Sequence, residues 1–255
     1  MTIEHSGSGD VDRSLALLWA LDGPPSRGPK PKLTLDRIVT TAIDIADSEG
    51  LDAVSMRRLA AALQVGTMSL YRYIPGKAEL LDLMLDRVLD IDPEVPISAQ
   101  SRTDDWRSFL TVMGRHMWAM YTEHPWLPQV DQTRPVLGPR ALAGLELALQ
   151  ELTGLALTDA QKIQAINAIE MLAAAAARMH NNAVAAEQRS GKTTEEFWRA
   201  QEPVLVKALD SGRFPTIAAL SDDAFAAGGA EQFEFALQRL LDGLEVLVRH
   251  PATGS

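Results

Sequence analysis

"SMRRLAAALQVGTMSLYRYIPGK", Ser55 to Lys77, decides how the rest of the chain is read. Ser55 stands where a side-chain oxygen can cap a helix, and Met56, Leu59, Ala60 and Leu63 follow at steps of three and four. That spacing predicts a short amphipathic helix that buries them, with Arg57 and Arg58 near its start. Gln64-Val65-Gly66 interrupts the period, the stretch from Thr67 to Ile74 restores it, and Pro75-Gly76 ends it. Two short helices joined by a three-residue turn form the arrangement that lays its second helix in the major groove of DNA. In a helix from Thr67, Leu70 and Ile74 face inward against Leu59 and Leu63. Thr67, Met68, Ser69, Tyr71, Arg72 and Tyr73 are then left on or near the outside. Hydroxyl groups and cations suit phosphate oxygens, Arg suits guanine edges, and a methionine can meet a thymine methyl. Lys77 adds a charge at the N-terminus of the next helix, where an anion is favoured. Read alone, YRY beside a PGK turn is equally an ordinary solvated surface.

Working outward, Leu35, Ile38, Val39, Ala42, Ile45 and Ala46 predict a preceding helix, capped by Thr34 and stopped by Gly50. Lys77 opens a longer amphipathic helix, "KAELLDLMLDRVLDI". The Pro/Gly-dense "DGPPSRGPKPK" at 22–32 and "DPEVPISAQSR" at 92–102 hold no helix and mark boundaries. Three segments result: a flexible arm over 1–32, a helix-turn-helix unit with its connecting helix over 33–92, and a larger domain over 93–255. In the arm, "VDRSLALLWALD" reads as either a short helix using Leu15, Leu18 and Trp19 or a frayed tail. The larger domain shows helical periods near 104–123, 137–152, 158–189, 194–210 and 229–249. No sustained period-two run bounded by hairpin turns occurs, so the fold class is all-α. "AAAAA" at 173–177 reads as a small-residue seam that lets another helix approach closely.

Composition narrows the function classes. The 255 residues are 46% hydrophobic and 23% charged, the balance of a folded protein, with a net charge of −10. The charge is uneven. Residues 25–80 carry eight Lys/Arg against six Asp/Glu, while residues 1–24 carry one against four, so a slightly basic segment precedes an acidic body. There is no cysteine, which excludes disulfides and thiolate metal sites. No apolar run approaches the roughly 20 residues that span a bilayer, and the start lacks the order of a secretory signal. A cytoplasmic protein with no membrane contact is expected. The five histidines, His5, His116, His124, His180 and His250, form no metal pair at helical spacing, and no G-x-S-x-G occurs. "SGKTTEE" from Ser190 has Ala186 where a phosphate loop needs its first Gly. Neither a catalytic residue, a metal nor a cofactor is expected. The rival from outside enzymology is a helical adaptor acting through protein contacts.

The stretch Gly50 to Leu85 resembles the N-terminal domain of the TetR (tetracycline-repressor) family of one-component regulators. Its succession of Gly-Leu, Arg-x-(Leu/Val)-Ala, Gly-Val, Leu-Tyr-x-(His/Tyr)-(Phe/Val) and Lys is met almost throughout. The resemblance implies that Tyr71 and Lys77 grip phosphates, that Thr67 and Met68 begin the reading helix, and that Arg57 stands at the foot of the preceding one. Arg72 and Tyr73 match positions that touch DNA in some members. Gln64 departs from the usual Gly at the end of the first of the two helices. Glu231 to His250 looks like the last helix of tetracycline-repressor-type C-terminal domains, with Phe233, Phe235, Leu237, Leu240, Leu241, Leu244 and Leu247 on a wide apolar face. In that subgroup it pairs with the long helix before it, here 158–189, to build a four-helix dimer interface. A two-fold partner is also what a palindromic operator requires.

The resemblance further implies a small effector held in the C-terminal domain that changes the spacing of two reading heads and releases DNA. Met113, His116, Met117, Met120, Trp126, Met171 and His180 are candidate wall residues, flexible or flat side chains suited to an apolar or aromatic compound. "QTRP" at 132–135 resembles a loop of the tetracycline repressors, but Val130 and Asp131 stand where those proteins have the histidine that binds the drug's magnesium. Metal–tetracycline recognition is not expected. Arg27, Lys30 and Lys32 make the arm a candidate for an adjacent minor groove, an idle linker being the alternative.

Overall fold

The computed structural model describes residues 4–21, 33–89, 106–221 and 223–250. The basic arm with Arg27, Lys30 and Lys32, and both expected boundaries, near 32 and near 93, lie outside the described residues or at their edge. Eleven α-helices are described: α1 Val11–Leu21, α2 Leu35–Glu49, α3 Met56–Leu63, α4 Thr67–Tyr71, α5 Lys77–Val88, α6 Trp106–Glu123, α7 Pro139–Glu151, α8 Asp159–Ser190, α9 Thr194–Asp210, α10 Pro215–Ala218 and α11 Gly229–Arg249. Among the described residues the sole β-bridge joins His5 and Asp131, and no strand is formed. No described helix is long and apolar enough to cross a membrane.

Local chemistry sets most of these ends. Thr34 accepts from Arg37 N–H at the start of α2, and Ser55 accepts from Arg58 N–H at the start of α3. Thr158 with Gln161 and Thr193 with Glu196 form reciprocal capping boxes that open α8 and α9. α2, α3 and α4 pack with α5 into one unit, while α6, α8 and α11 form the frame of the larger domain, with α7 against α6 and α8. Ala173 and Ala177 are fully buried inside this frame, so part of the expected alanine seam is already used within the chain.

α5 joins the first unit to the larger domain, and its middle turns are buried on all sides. Every residue from Glu79 to Asp86 is inaccessible, three carboxylates included. Carboxylates in that position must be answered by donors, and these come from two distant parts of the chain, the N-terminal segment and the first turn of α7. Asp82, 1% exposed, accepts from Ser6 Oγ at 2.9 Å, Gly7 N–H at 2.9 Å and Ser14 Oγ at 2.7 Å. Glu79 accepts from Asp10 N–H at 3.1 Å. Asp86 accepts from Ala141 N–H at 3.1 Å in the first turn of α7, with the Arg140 guanidinium 3.5 Å from its other oxygen. Its carboxyl occupies the space in which a side chain at Gly138 would begin, and so caps a helix whose own N-cap residue has no side chain. Burial pushes the Asp86 carboxyl above the ordinary carboxylate range, against the downward pull of Ala141 and Arg140.

The N-terminal segment therefore differs from the flexible arm expected. Residues 4–21 are docked, with α1 on α5. Leu18 and Ser14 are fully buried, whereas Trp19, expected on the apolar face, is half exposed. The helix is oriented by the Ser14–Asp82 bond as much as by its apolar residues. Two further bonds tie the α2–α5 unit to the larger domain: Asp47 of α2 accepts from Trp126 Nε1 at 2.7 Å and lies 2.9 Å from His124 Nδ1.

Two expected outcomes follow from these packing arrangements. Gln64 has φ +57°, a left-handed conformation disfavoured for a residue with a Cβ. Gln64→Gly should raise stability by about 0.5 kcal/mol, and Gln64→Val should lower it by about 1 kcal/mol or more, read from thermal unfolding. Asp82→Ala strands two buried hydroxyls and an amide and should cost about 2–4 kcal/mol in urea unfolding, with Asp82→Asn losing roughly half as much.

Candidate nucleic-acid interface

The reading unit is built from α3, the turn 64–66 and α4. Gln64 N–H returns to Ala60 and Ala61 carbonyls, and Val65 N–H reaches Ala60 O at 3.0 Å, which closes α3 and swings the chain sharply into α4. Leu59, Leu63, Leu70 and Ile74 are all buried, as the apolar spacing predicts. α4 is shorter than the Thr67–Ile74 stretch. It ends at Tyr71, and Ile74 reaches the core through a last turn in which Tyr73 and Ile74 N–H both bond Leu70 O.

Those four anchors fix what faces out. Met68 is 77% exposed and Tyr71 45% exposed, with Arg57 and Arg72 also on the surface and Thr67 and Ser69 half-buried beside them. The group forms one surface at the N-terminal end and outer side of α4, with the chemistry of hydroxyl, thioether, phenol and guanidinium that base edges and phosphates call for.

Tyr73 departs from the expected placement. Its hydroxyl donates to Leu33 O at 3.1 Å and its ring packs against the core, so it ties the end of the turn to the residues before α2. Lys77 is half-buried: its Nζ lies 2.8 Å from Glu4 Oε1 and 3.5 Å from Leu51 O. Arg58, adjacent to the site on α3, is gripped by both carboxylate oxygens of Glu49, which holds the Glu49 carboxyl below its ordinary range. Arg57, Arg72, Arg58 and Lys77 therefore divide into two displayed guanidinium groups and two cations with carboxylate partners. The Glu4 contact had no signal in the sequence, since 73 positions separate the partners and nothing periodic links them.

The expected effector-wall residues do not gather at one place. Met113, Met120 and Trp126 are buried, and Trp126 is committed to Asp47. His116 and Met120 line a groove of about 360 Å³ between α2, α5 and α6, together with Thr40, Arg87 and Glu123. Burial lowers the His116 imidazole below its usual value. Met117 is half-buried against the core. Met171 is 65% exposed, which removes it from any internal wall, because its position on α8 faces away from α6. His180 packs on Trp118 at 5.7 Å between ring centres, and Trp118 stacks on Phe233 at 4.9 Å. Trp118 and Phe233 thus join α6 to α11 through an aromatic group whose members are far apart in sequence. Nearby, burial raises both the Tyr121 phenol and the Glu170 carboxyl that accepts from it at 3.3 Å. No cluster of three or more His, Asp or Glu with metal-binding geometry occurs among the described residues.

Comparison with known proteins places this geometry. Residues 38–84 match the model of bacterial regulatory proteins of the tetR family, and residues 99–248 match that of the tetracyclin repressor-like C-terminal domain. The HTH-type transcriptional repressor DrrR1 of Streptomyces coeruleorubidus is 54% identical over 245 residues, 96% of this chain and 89% of that protein. The class E tetracycline repressor of Escherichia coli is 30% identical, but over only 31% of this chain and 36% of its own. Among solved structures, the Streptomyces coelicolor TetR family protein ActR in complex with actinorhodin superposes with a TM-score of 0.66 at 30% identity, over 87% of this chain and all of that one. ActR in complex with (S)-DNPA gives 0.65 at 30% identity, over 85% and 99%. With its helix-turn-helix displayed, its larger helical domain in place and both family models matched, the chain belongs to the TetR family of DNA-binding transcriptional regulators.

Proposed function

We propose that the protein is a homodimeric repressor that holds a palindromic operator with Arg57, Thr67, Met68, Ser69, Tyr71, Arg72 and Lys77 of each copy, and that an apolar or aromatic small molecule releases it. The observation that carries the DNA reading is the display of Met68 and Tyr71 on α4, with Arg72 just past its end, while Leu70 on the opposite side is fully buried. Tyr71 and Lys77 fit phosphate, which positions the reading helix, and Arg72 with Met68 fits base edges, which specify.

Apolar surface supports the dimer. α8 and α11 pack together inside the chain yet leave Met171, Met179, Phe235 and Val246 exposed. Between them runs a groove of about 340 Å³ lined by Ala165, Ala168, Leu240, Leu244 and Leu247, of a shape to take side chains from a second copy. α9 buries no residue, exposes Phe197, Trp198 and Val204, and packs chiefly on α10. Such a surface is costly to leave in water and adds to the apolar area that a second copy would cover.

The effector reading rests on the Trp118–Phe233–His180 group, flat surfaces suited to an aromatic ligand, and on ActR, which is solved with actinorhodin and with (S)-DNPA. Release requires that the effector favour one spacing of the reading heads, and by linkage DNA then weakens the effector equally.

Operator sequences selected from random duplex should contain two inverted half-sites. On that operator, combining Tyr71→Phe with Lys77→Ala should weaken binding at every sequence and make its salt dependence shallower, whereas Arg72→Ala should relax preference at particular positions by about 1–3 kcal/mol. Unchanged retention on DNA by both variants, with fold and dimer intact, refutes the site. Actinorhodin serves as the first effector probe: it should quench tryptophan fluorescence and release the operator, and His180→Ala should weaken it about tenfold. Equal quenching in His180→Ala moves the effector elsewhere.

A further inference from the structure

Lys77 already has an anion. Glu4 places a carboxylate oxygen 2.8 Å from its Nζ, at the position where a phosphate oxygen would have to sit if the lysine grips the operator backbone. Most surface ion pairs are loosely held and signify little, but this carboxylate is delivered by a segment fixed on both sides. Glu4 O accepts from Asp131 N–H at 3.0 Å, and Ser6 N–H donates to Asp131 O at 3.0 Å, which is the β-bridge to the larger domain. Ser6 Oγ donates to the buried Asp82 and accepts from Val136 N–H at 3.3 Å. Gly7 donates to Asp82 with φ +66°, a turn that brings its Cα against Arg134 O and that a side chain would obstruct. His5 lies 3.0 Å from Asp131 Oδ2, and Asp131, also bonded by Thr133, is held down to about 2. Glu4 is thus two residues from a buried anchor, with its backbone already ordered. Its side chain and that of Lys77 are both about one-third exposed, 30% and 32%.

We propose that Glu4 is an internal competitor of operator phosphate at Lys77, held in place by the Ser6–Asp82 anchor, so that this N-terminal clasp lowers the affinity of the repressor for DNA. The inference rests on the reading of Lys77 as a phosphate contact. On binding, Lys77 exchanges a carboxylate for a phosphate instead of neutralising one from a free state. The released Glu4, a lone surface charge, then gathers only part of a cation, so Lys77 still adds to the salt slope but by less than an unpaired lysine would. The clasp spans both domains, so a shift of the loop 131–136 changes how firmly Glu4 reaches the lysine.

The test titrates the full-length protein with its selected operator duplex over a range of salt concentrations. Glu4→Gln keeps the shape of the side chain and removes the charge. It should bind roughly two- to five-fold more tightly at low salt, the range of an exposed ion pair, with a slope of log affinity against log salt steeper by up to about 0.9. Lys77→Ala should weaken binding, and adding Glu4→Gln to it should then change nothing. Ser6→Ala, which loosens the anchor and leaves Glu4 in place, should shift affinity in the same direction as Glu4→Gln, with circular dichroism verifying the fold. Equal or weaker binding by Glu4→Gln, while Lys77→Ala still weakens, overturns the competition and makes Glu4 a group that aims the lysine. No effect of Ser6→Ala overturns the anchor. Lys77→Ala with wild-type affinity removes the phosphate contact itself, a failure of the underlying reading that is distinguishable from the other two.

Discussion

Three carboxylates on a helix with no access to solvent are the constraint around which this molecule is arranged. Glu79, Asp82 and Asp86 lie along α5 at spacings of three and four, on one side of a helix in which the residues between them are Leu and Met. An ionised group in such a place is destabilising by several kcal/mol unless donors are brought to it. The donors brought to α5 fix two other parts of the chain: Ser6, Gly7, Asp10 N–H and Ser14 fix the N-terminal segment with α1, and the first turn of α7 fixes the larger domain. The connecting helix is thereby both the core of the reading unit and the joint to the rest.

That joint has the properties a coupling element needs. At one end it meets the segment between α2 and α3 through the Lys77 contact to Leu51 O, at the other it meets the larger domain through Asp86, and the Asp47 bonds to His124 and Trp126 form a second, parallel tie. Packed interiors transmit displacement because they have little free volume to absorb it. A movement of α6 or α7 therefore has two routes to α2 and α5, both through charged or polar bonds with defined geometry.

The acidic character of the chain takes on a specific meaning beside this joint. With a net charge of −10, the protein meets a polyanion only through a local surface. At that surface Arg57 and Arg72 are displayed, while Arg58 is paired to Glu49 and Lys77 to Glu4. The pairing keeps that surface less positive than its sequence composition implies.

Short-range signals made much of this legible in the chain alone. The period of Met56, Leu59, Leu63, Leu70 and Ile74, the Ser55 and Thr34 caps and the Gly and Pro stops act within a few residues, so α2 to α5 and the outward placement of Met68, Tyr71 and Arg72 follow from spacing. The frame of α6, α8 and α11 was equally periodic, and the family followed from its motifs. What tertiary structure decided was every pairing between distant segments. A serine at position 14 and an aspartate at position 82 carry no mutual mark, and Tyr73 looks as solvated as Tyr71 until Leu33 is beside it. For the same reason the scattered methionines gave no pocket: a helix period tells which side of a helix is apolar, but not which neighbour covers it. Hydrogen bonds between buried groups depend on position to a few tenths of an ångström, and only the assembled packing sets that position.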